Sequence, residues 1–427
     1  MSRQQLGLFD HLTHRANLKH TRYGWLRLTP AYSVHLVEEL LAAHATDSDA
    51  VVLDPFCGTG TTALVCAERG LPATTSDINP FLLWLTRTKT RAYSTQDLTA
   101  LQPAARQIGD EVARHPHEPA WTPPLHQIEK WWDAPTLTTL SRLMQAIHNR
   151  TDDAPGVTDL LKIAFCRVMI THSNASFNHQ SMSFKPPDHE LRLPRTTTEL
   201  LAAWHAAIDD IHGAARSSIA MQPRVLYGDA RQLTALLPPE HYTCVITSPP
   251  YPNRMSYIRE LRPYMYWLGY LHSGREAGEL DWQAIGGTWG CATSNVGKWV
   301  PPVACPIPYP DFPAILAAIA ERSDVLARYV HKYFYDMVEH TRQVFGLVRP
   351  GGTTHYVVGN SRFYDVLLPV EELFAALFQA AGFVEVTIRP IRKRTSKKEL
   401  YEFVVAGKKA QKQGSHYDCP KPFHLNR

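Results

Sequence analysis

Two short segments of the sequence place chemically useful residues directly after runs of β-forming residues. The first is VVLDPFCGTGTT at residues 51–62, and the second is CVITSPPY at residues 244–251. Ligands of open α/β sheets bind outside the carboxyl ends of the strands. Both segments are therefore candidates for ligand binding.

The first segment has the chemistry of a loop that binds a nucleoside-bearing cofactor. Gly58 and Gly60 let the backbone approach a ligand and tolerate positive φ, and the helix after them offers unpaired N–H groups. No lysine follows the glycines, so this is not a P-loop. Asp77 and Asp229 end later strands, where a ribose and an adenine edge would lie. Each aspartate alone is equally well explained as a helix cap, but three acidic strand ends, counting Asp54, favour the cofactor.

The second segment offers hydrogen-bond acceptors beneath an aromatic ring. Pro249 and Pro250 remove two N–H donors and force an extended kink, so nearby carbonyls turn outward. The Ser248 hydroxyl both donates and accepts, and the Tyr251 ring can cover a planar ligand. This set suits a planar base with an exocyclic NH₂, which Ser248 would orient without acting as a strong base. A rigid turn without chemistry is the alternative interpretation.

The apolar runs predict an α/β fold that positions these segments. Short β-rich runs near residues 51, 73, 225, 244, 355, 384 and 402 predict seven strands. Helices are predicted at 34–46, up to about 69, at about 314–347 and at 369–381, with a turn at 349–352. The last two strands are joined by a loop, so we expect them to be antiparallel neighbours.

The strand–helix pattern is interrupted twice. Residues 95–222 are mostly helical by periodicity, and residues 270–313 are rich in Gly, Trp and Pro and are predicted to be irregular. The expected division of the chain is a main α/β domain at 20–94, 223–269 and 314–408, a helical insertion at 95–222, an irregular insertion at 270–313 and a basic tail at 409–427.

The composition fits a folded soluble protein in a reducing compartment. Hydrophobic residues make up 44% and charged residues 20% of the 427 residues. No run of about 18 apolar residues predicts a membrane span, and no apolar secretory segment begins the sequence. The seven cysteines include no C-x-x-C pair, and the 21 histidines show no metal-ligand pattern. We therefore expect reduced thiols, a cytoplasmic location and no metal site.

Positive charge is concentrated at the two ends of the chain, which favours a polyanionic partner. Residues 385–427 hold 11 Lys/Arg against 4 Asp/Glu, although the net charge of the whole chain is only +4. Residues 389–398 are predicted to form a fixed basic loop. The candidate nucleic-acid contacts are Arg254, Arg259, Arg262, Lys298, Arg392, Lys393 and Arg394.

The two segments together resemble the motifs of a known enzyme family. DPFCGTG and TSPPY are similar to the cofactor and catalytic motifs of the S-adenosylmethionine-dependent DNA amino-methyltransferases of restriction-modification systems. HTRYGWLRLTP, residues 20–30, resembles a motif that precedes the glycine loop in some of them. The resemblance covers residues 20–90, 224–268 and 340–407. It implies a Rossmann-like seven-stranded methyltransferase sheet, S-adenosylmethionine as cofactor, double-stranded DNA as partner and a separate cognate restriction endonuclease.

The resemblance also implies roles for individual residues. The cofactor would be held by Asp54, Pro55, Phe56, Gly58, Gly60, Asp77 and Asp229. The catalytic loop would be Ser248, Pro249, Pro250 and Tyr251, which would orient the amine of a base flipped out of the duplex. Serine at the first position is typical of cytosine-N4 enzymes, whereas adenine-N6 enzymes usually have Asp or Asn. No covalent intermediate is needed, so Cys57 is interpreted as a packed residue.

Other functions and two target-recognition segments stay open at this point. The other functions are an adenine-N6 DNA methyltransferase, an RNA guanine-N2 methyltransferase and a DNA-binding protein that has lost catalysis. Target recognition is expected in residues 270–313, with Trp289, Asn295, Lys298 and Trp299, or in residues 171–185, which are rich in side chains that hydrogen-bond base edges.

Overall fold

The computed structural model describes most of the chain. The described residues are 17, 21–26, 28, 31–45, 47–115, 118, 120–150, 154–176, 183–184, 195–253, 256–288, 291–304, 307–394 and 399–411.

A seven-stranded sheet forms the centre of the molecule. Its strands are β1 (Val52–Asp54), β2 (Ala73–Asp77), β5 (Arg224–Tyr227), β6 (Tyr242–Thr247), β7 (Val348–Gly359), β10 (Phe383–Lys393) and β11 (Tyr401–Lys409). Two small ribbons lie outside it: β3 (Ala175–Ser176) with β4 (Ser183–Phe184), and β8 (Ser361–Phe363) with β9 (Val366–Leu368).

The strand order places the two chemically interesting segments next to each other. Along the sheet the order is β10-β11-β7-β6-β1-β2-β5, and all pairs from β7 to β5 are parallel. Strand β11 is antiparallel to both β7 and β10. The seven predicted strands and the predicted antiparallel neighbours are therefore confirmed, and the fold is Rossmann-like α/β. Because β1 lies between β2 and β6, their carboxyl ends meet at one edge.

Helices connect the strands and fill the first predicted insertion. They are α1 (Val34–His44), α2 (Thr61–Arg69), α3 (Pro80–Thr90), α4 (Thr95–Arg114), α5 (Ala134–His148), α6 (Pro155–Thr171), α7 (Thr197–Ala215), α8 (Tyr257–Trp267), α9 (Gly274–Gln283), α10 (Cys291–Lys298), α11 (Phe312–Ala320), α12 (Asp324–Leu347) and α13 (Val370–Ala381). No helix in the described ranges is both long enough and apolar enough to cross a membrane.

Central strands bury side chains on both faces of the sheet. In β6, Cys244 and Ile246 pack with residues of α1 and α2, whereas Val245 packs with residues of α12 and α13. All six residues of β6 are buried, as expected for a parallel strand covered on both sides. This explains why the sequence shows a continuous apolar run here rather than an alternating one.

Besides the two cores on the faces of β6, a third core contains the helices of residues 95–222 together with α3 and α8. Trp267 of α8 packs edge-on against Trp132 and Phe165, with ring centroids 5.8 and 5.2 Å apart. Phe81 of α3 stacks on Tyr264 of α8 at 5.2 Å. The same buried cluster contains residues from α4 to α7. Helices α4–α7 therefore share their core with α3 and α8.

Two predicted elements in the second half of the chain differ in the structure. The single helix predicted at 314–347 is two helices, α11 and α12. The extended backbone of Ser323 interrupts the helical conformation between them, and its hydroxyl caps α12 by accepting from the Leu326 N–H at 3.4 Å. Residues 270–313 are not irregular throughout, since they include α9 and α10. Ser273 caps α9 by accepting from the Glu276 N–H at 3.2 Å.

Two further differences lie in strands β7 and β10. The predicted turn at 349–352 is a bulge inside β7, where Gly351 has φ of +83° and the register with β6 shifts. The predicted basic loop at 389–398 begins later, because β10 continues through Lys393 by pairing with β11. Residues 395–398 lie outside the described residues.

Candidate functional site

A cavity of about 390 Å³ lies at the carboxyl ends of β1, β2, β5 and β6. It has two parts, which we call the glycine-loop half and the proline-loop half. The glycine-loop half is lined by Tyr32, Pro55, Phe56, Gly58, Asp77, Ile78, Asn79, Leu82, Gly228, Asp229 and Ala230. The proline-loop half is lined by Ser248, Pro249, Pro250, Tyr251, Asn253, Tyr257, Asp281, Gln283–Gly287, Arg392, Arg394 and Glu402.

Most of the residues predicted to form the site line this one cavity. Asp54 and Gly60 are the exceptions, because both lie behind its wall. Gly60 caps α2 with φ of +77°, and a Cβ there would lie 2.7 Å from the Thr86 Oγ1. Gly60 is thus required for the close packing of α2 on α3 rather than for direct contact with the cavity.

The carboxylate of Asp77 holds the glycine loop in place. Its Oδ2 accepts from the Gly58 N–H at 3.2 Å, and its Oδ1 accepts from the Asn79 N–H at 2.9 Å. Burial raises the pKa of Asp77 to about 6, although these backbone hydrogen bonds oppose the rise. Asp77 therefore connects the ends of β1 and β2 and also presents a carboxylate to the cavity.

Asp54 connects the ends of β1 and β6 from below the cavity. Its Oδ1 accepts from the Thr247 hydroxyl at 2.6 Å and from the Phe56 N–H at 3.2 Å. Its Oδ2 is buried and has no hydrogen-bond partner among the described residues. Burial raises the pKa of Asp54 to about 7, since the charged form loses solvation there.

Asp54→Asn is expected to stabilise the ligand-free protein at high pH. The raised pKa means that the neutral acid is favoured in the folded state, so stability is lost as pH rises from about 4 through about 7. An amide keeps both Oδ1 hydrogen bonds and carries no charge. Thermal unfolding should give a higher Tm than wild type at pH 8, and the gap should narrow by pH 5.5.

The exposed Asp365 provides the matched control for this experiment. Asp365→Asn should give the wild-type Tm across the same pH range. Equal Tm differences between Asp54→Asn and wild type at pH 5.5 and pH 8 would contradict the proposed ionisation of Asp54.

Asp229 lies at the cavity, but its carboxylate is bound by Arg231. The guanidinium donates from Nε at 2.9 Å and from Nη2 at 2.6 Å. Although burial opposes the change, these hydrogen bonds hold the pKa of Asp229 below its ordinary value. Arg231 also donates to the Gln283 carbonyl at 2.8 Å and to Asp336 at 3.1 Å. It therefore connects the two halves of the cavity.

His340 of α12 supports the glycine-loop half from behind. Its Nδ1 lies 2.9 Å from the Ala230 carbonyl and its Nε2 lies 2.6 Å from the Tyr356 hydroxyl. Burial lowers its pKa to about 4, so the ring is neutral, with Nδ1–H donating and Nε2 accepting. The ring packs edge-on against Phe56 at 4.7 Å. Sequence analysis gave no role to His340 or Arg231, since a single polar residue in a helix or turn carries no signal.

Ser248 faces the cavity as a hydrogen-bond acceptor. Its hydroxyl donates to the Val357 carbonyl of β7 at 3.1 Å. A serine hydroxyl has one proton and two lone pairs. With its proton donated to the Val357 carbonyl, the Ser248 oxygen has acceptor capacity for a ligand.

The two proline carbonyls of the loop differ in their availability. The Tyr333 hydroxyl donates to the Pro250 carbonyl at 2.7 Å. Pro249 lines the same cavity, and within the described ranges no group donates to its carbonyl. The Ser248 oxygen and the Pro249 carbonyl are thus the two acceptors that the loop offers.

The candidate nucleic-acid contacts are placed in different environments. Arg392 forms a bidentate ion pair with Glu402 at 2.7 and 2.9 Å. Arg262 lies over the Trp131 ring at 5.0 Å, and burial lowers its pKa to about 10. Both side chains have partners within the protein, and their role as nucleic-acid contacts stays a prediction. Lys393 and Lys298 are exposed, and Arg259 is half-buried on α8.

Several expectations concern residues that the structure does not describe. Arg254, Trp289 and most of residues 177–194 lie outside the described residues, as do residues 412–427. The segment at 20–30 is described only in part, and the cavity is reached by Ala31 and Tyr32 just after it. Trp299, a candidate for target recognition, packs edge-on against His331 and Tyr335.

Two further expectations concern the Cys57 thiol and metal binding. Cys57 is buried, with its Sγ 3.3 Å from the Thr86 Oγ1, and burial raises the pKa of its thiol. Within the part of the chain that the structure describes, no group of three His, Cys, Asp or Glu side chains is arranged to hold a metal ion.

Comparison with known proteins relates one segment of the chain to DNA methylases. A family model described as DNA methylase matches residues 14–99. The Type II methyltransferase M.MjaII of Methanocaldococcus jannaschii is 33% identical over 90 residues, which are 21% of this chain and 17% of that protein. The Type II methyltransferase M.AvaI of Nostoc sp. is 32% identical over 69 residues, which are 16% of this chain and 14% of that protein. The chain thus spans less than a fifth of the length of these relatives.

A solved structure aligns with most of the chain at low similarity. It is the rRNA methyltransferase aviRa from Streptomyces viridochromogenes, and it covers 89% of this chain and 87% of that chain, with 12% identity and a TM-score of 0.30. A likeness at this level supports no statement about the site. Residues 14–99, which hold β1, the glycine loop and Asp77, are the segment that is similar to the DNA methylases.

Proposed function

We propose that the protein transfers a methyl group from S-adenosylmethionine to the exocyclic N4 amine of a cytosine flipped out of duplex DNA. The observation that carries this proposal is the direction of the hydrogen bond between Ser248 and Val357. Its proton is donated to Val357, so its oxygen accepts, next to the unoccupied Pro249 carbonyl. These two hydrogen-bond acceptors suit the two N–H donors of an NH₂ group. The glycine loop in the same cavity suits a nucleoside cofactor beside that group.

The glycine-loop half fits S-adenosylmethionine. The cavity volume of about 390 Å³ lies within the range of small-molecule sites. Asp77 presents a carboxylate for the ribose hydroxyls, Phe56 offers an aromatic surface, and Asp229 lies at the far end for the adenine. When bound, this cofactor would supply an electrophilic methyl group and leave as S-adenosylhomocysteine, while the methylated amine would lose one proton to solvent. The similarity of residues 14–99 to DNA methylases supports the same assignment.

The proline-loop half would prepare the amine for reaction. The lone pair of an exocyclic amine is delocalised into the base, so the amine is a poor nucleophile. Hydrogen bonds from its two N–H groups to Ser248 and Pro249 favour the pyramidal form and fix its direction. Flipping the base costs a few kcal/mol, and stacking on Tyr251 returns about 1–3 kcal/mol.

The proposed biological role is protection of host DNA from a separate restriction endonuclease. It rests on the relatives, which are named Type II methyltransferases. The substrate would be double-stranded DNA. Copurification of a nuclease that cuts the same sequence when it is unmethylated would support this role, whereas genome-wide methylation without such a nuclease would contradict it.

Nucleoside analysis tests the proposed reaction directly. Purified protein is incubated with S-adenosylmethionine and, in separate reactions, mixed-sequence duplex DNA or RNA. The nucleic acid is then digested, and the nucleosides are analysed by mass spectrometry. We expect N4-methylcytosine. N6-methyladenine would keep the enzyme class and overturn the choice of base. N2-methylguanine in RNA, or cofactor binding without any transfer, would support the remaining alternatives.

A further inference from the structure

Arg394 lies inside the proline-loop half of the cavity rather than on the outer surface. Its guanidinium carbon is 5.3 Å from the centroid of the Tyr251 ring, in cation–π contact. Its Nη1 donates to the Asn360 carbonyl at 3.0 Å, and its backbone N–H donates to the Leu400 carbonyl at 2.7 Å. Both the position and the plane of the guanidinium are therefore fixed beside the catalytic loop.

A glycine at the end of β7 makes this arrangement possible. A Cβ on Gly359 would lie 2.7 Å from the Nη1 of Arg394 and 3.0 Å from the Cε2 of Tyr251. Any side chain at this position would push the guanidinium and the ring away from the strand. Gly359 thus provides the space for both groups against the sheet.

Among the described residues, Arg394 forms no ion pair, while its neighbour Glu402 is bound in bidentate fashion by Arg392. A guanidinium has five N–H donors in one plane, and only Nη1 has a hydrogen bond to a described residue. Arg394 therefore supplies hydrogen-bond donors in the proline-loop half, where Ser248 and Pro249 supply hydrogen-bond acceptors.

We propose that Arg394 reads the acceptor edge of the flipped base. This inference rests on the proposed function. On the Watson–Crick edge of cytosine, the N4 amine is followed by two acceptors, N3 and O2. Ser248 and Pro249 would take the amine, and the planar guanidinium would donate to N3 and O2. The corresponding edge of adenine offers only one acceptor, N1, beside its amine, so Arg394 would favour cytosine.

The neighbouring Lys393 provides a matched comparison, because it is exposed and carries the same charge. We compare wild type, Arg394→Gln, Arg394→Lys and Lys393→Gln in three assays. They are the salt dependence of binding to mixed-sequence duplex DNA, methyl transfer to the same DNA, and calorimetric titration with S-adenosylmethionine. A phosphate contact contributes about 0.9 to the slope of log K against log salt, whereas a base contact does not.

The expected result separates the two residues. Arg394→Gln should keep the affinity for mixed-sequence DNA and its salt slope, and should lower methyl transfer roughly 10- to 100-fold. Lys393→Gln should lower the affinity and reduce the slope by about 0.9. Arg394→Lys should also lose most of the transfer, because a single ammonium cannot donate in parallel to two acceptors.

Three outcomes would overturn the inference. The first is a salt slope of DNA binding that falls for Arg394→Gln as it does for Lys393→Gln. The second is methyl transfer by Arg394→Gln at the wild-type rate. The third is a loss of cofactor affinity in Arg394→Gln as large as its loss of methyl transfer. The last result would make Arg394 only a packing residue. If the wild-type protein itself methylates no DNA, the proposed function fails, and that failure is visible before any variant is compared.

Discussion

Replacing Ser248 with alanine is expected to lower the rate of methyl transfer about 100-fold, the size of effect seen when one preorganised hydrogen bond at a reacting group is removed. Alanine takes away one of the two acceptors that orient the amine. It also leaves the Val357 carbonyl without its donor. The rate should be measured in a single turnover with saturating S-adenosylmethionine.

Two further variants separate the acceptor from the shape of the loop. Ser248→Thr keeps the hydroxyl and should retain more activity than Ser248→Ala. Tyr333→Phe removes the hydrogen bond to the Pro250 carbonyl and should affect the rate less, because that carbonyl is not one of the two proposed acceptors. A Ser248→Ala enzyme as fast as wild type would remove the basis for the proposed role of Ser248.

The second large effect is expected at Asp77. Replacing it with alanine should weaken S-adenosylmethionine binding about 100-fold, since hydrogen bonds to a charged group contribute about 1.5–3 kcal/mol and several are lost together. Both backbone N–H groups that Asp77 holds, from Gly58 and Asn79, would lose their acceptor. Calorimetric titration of the purified variant with the cofactor measures the change.

Asp77→Asn is the informative companion to this variant. An amide has a single oxygen, so either the Gly58 or the Asn79 N–H would face an NH₂ group. We expect a loss of affinity between those of wild type and Asp77→Ala. If Asp77→Asn binds the cofactor as tightly as wild type, the carboxylate charge is not needed, and the role of Asp77 reduces to neutral hydrogen bonding.

The parts of the site that follow strand ends could be predicted from the sequence, and the parts that come from packing could not. Asp77 and Ser248 each end a β-rich run, so their type and position together carried the signal. The sheet order then brings their strands to either side of β1. Local patterns of this kind are consistent with the final fold, which is why they are readable.

The missing parts depend on contacts between residues far apart in the chain. His340 and Arg231 support the cavity wall from α12 and from the turn after β5. They lie 110 and 52 positions from the Ala230 and Gln283 carbonyls that they bind. Arg394 belongs to the basic stretch at residues 389–398, but its contact with Tyr251 depends on the extension of β10 and on Gly359. Charge alone gave no reason to place it inside the cavity.

The shared core of the inserted helices limits how this protein could change during evolution. Trp267 of the sheet domain is packed against Trp132 and Phe165 of the insertion, and residues from α4 to α7 belong to the same buried cluster. Residues 95–222 could not be exchanged for an unrelated sequence without exposing α8, which begins six residues after Tyr251. Diversification among close homologues should therefore be concentrated in the loops between these helices, while the helices themselves are inherited together with the sheet.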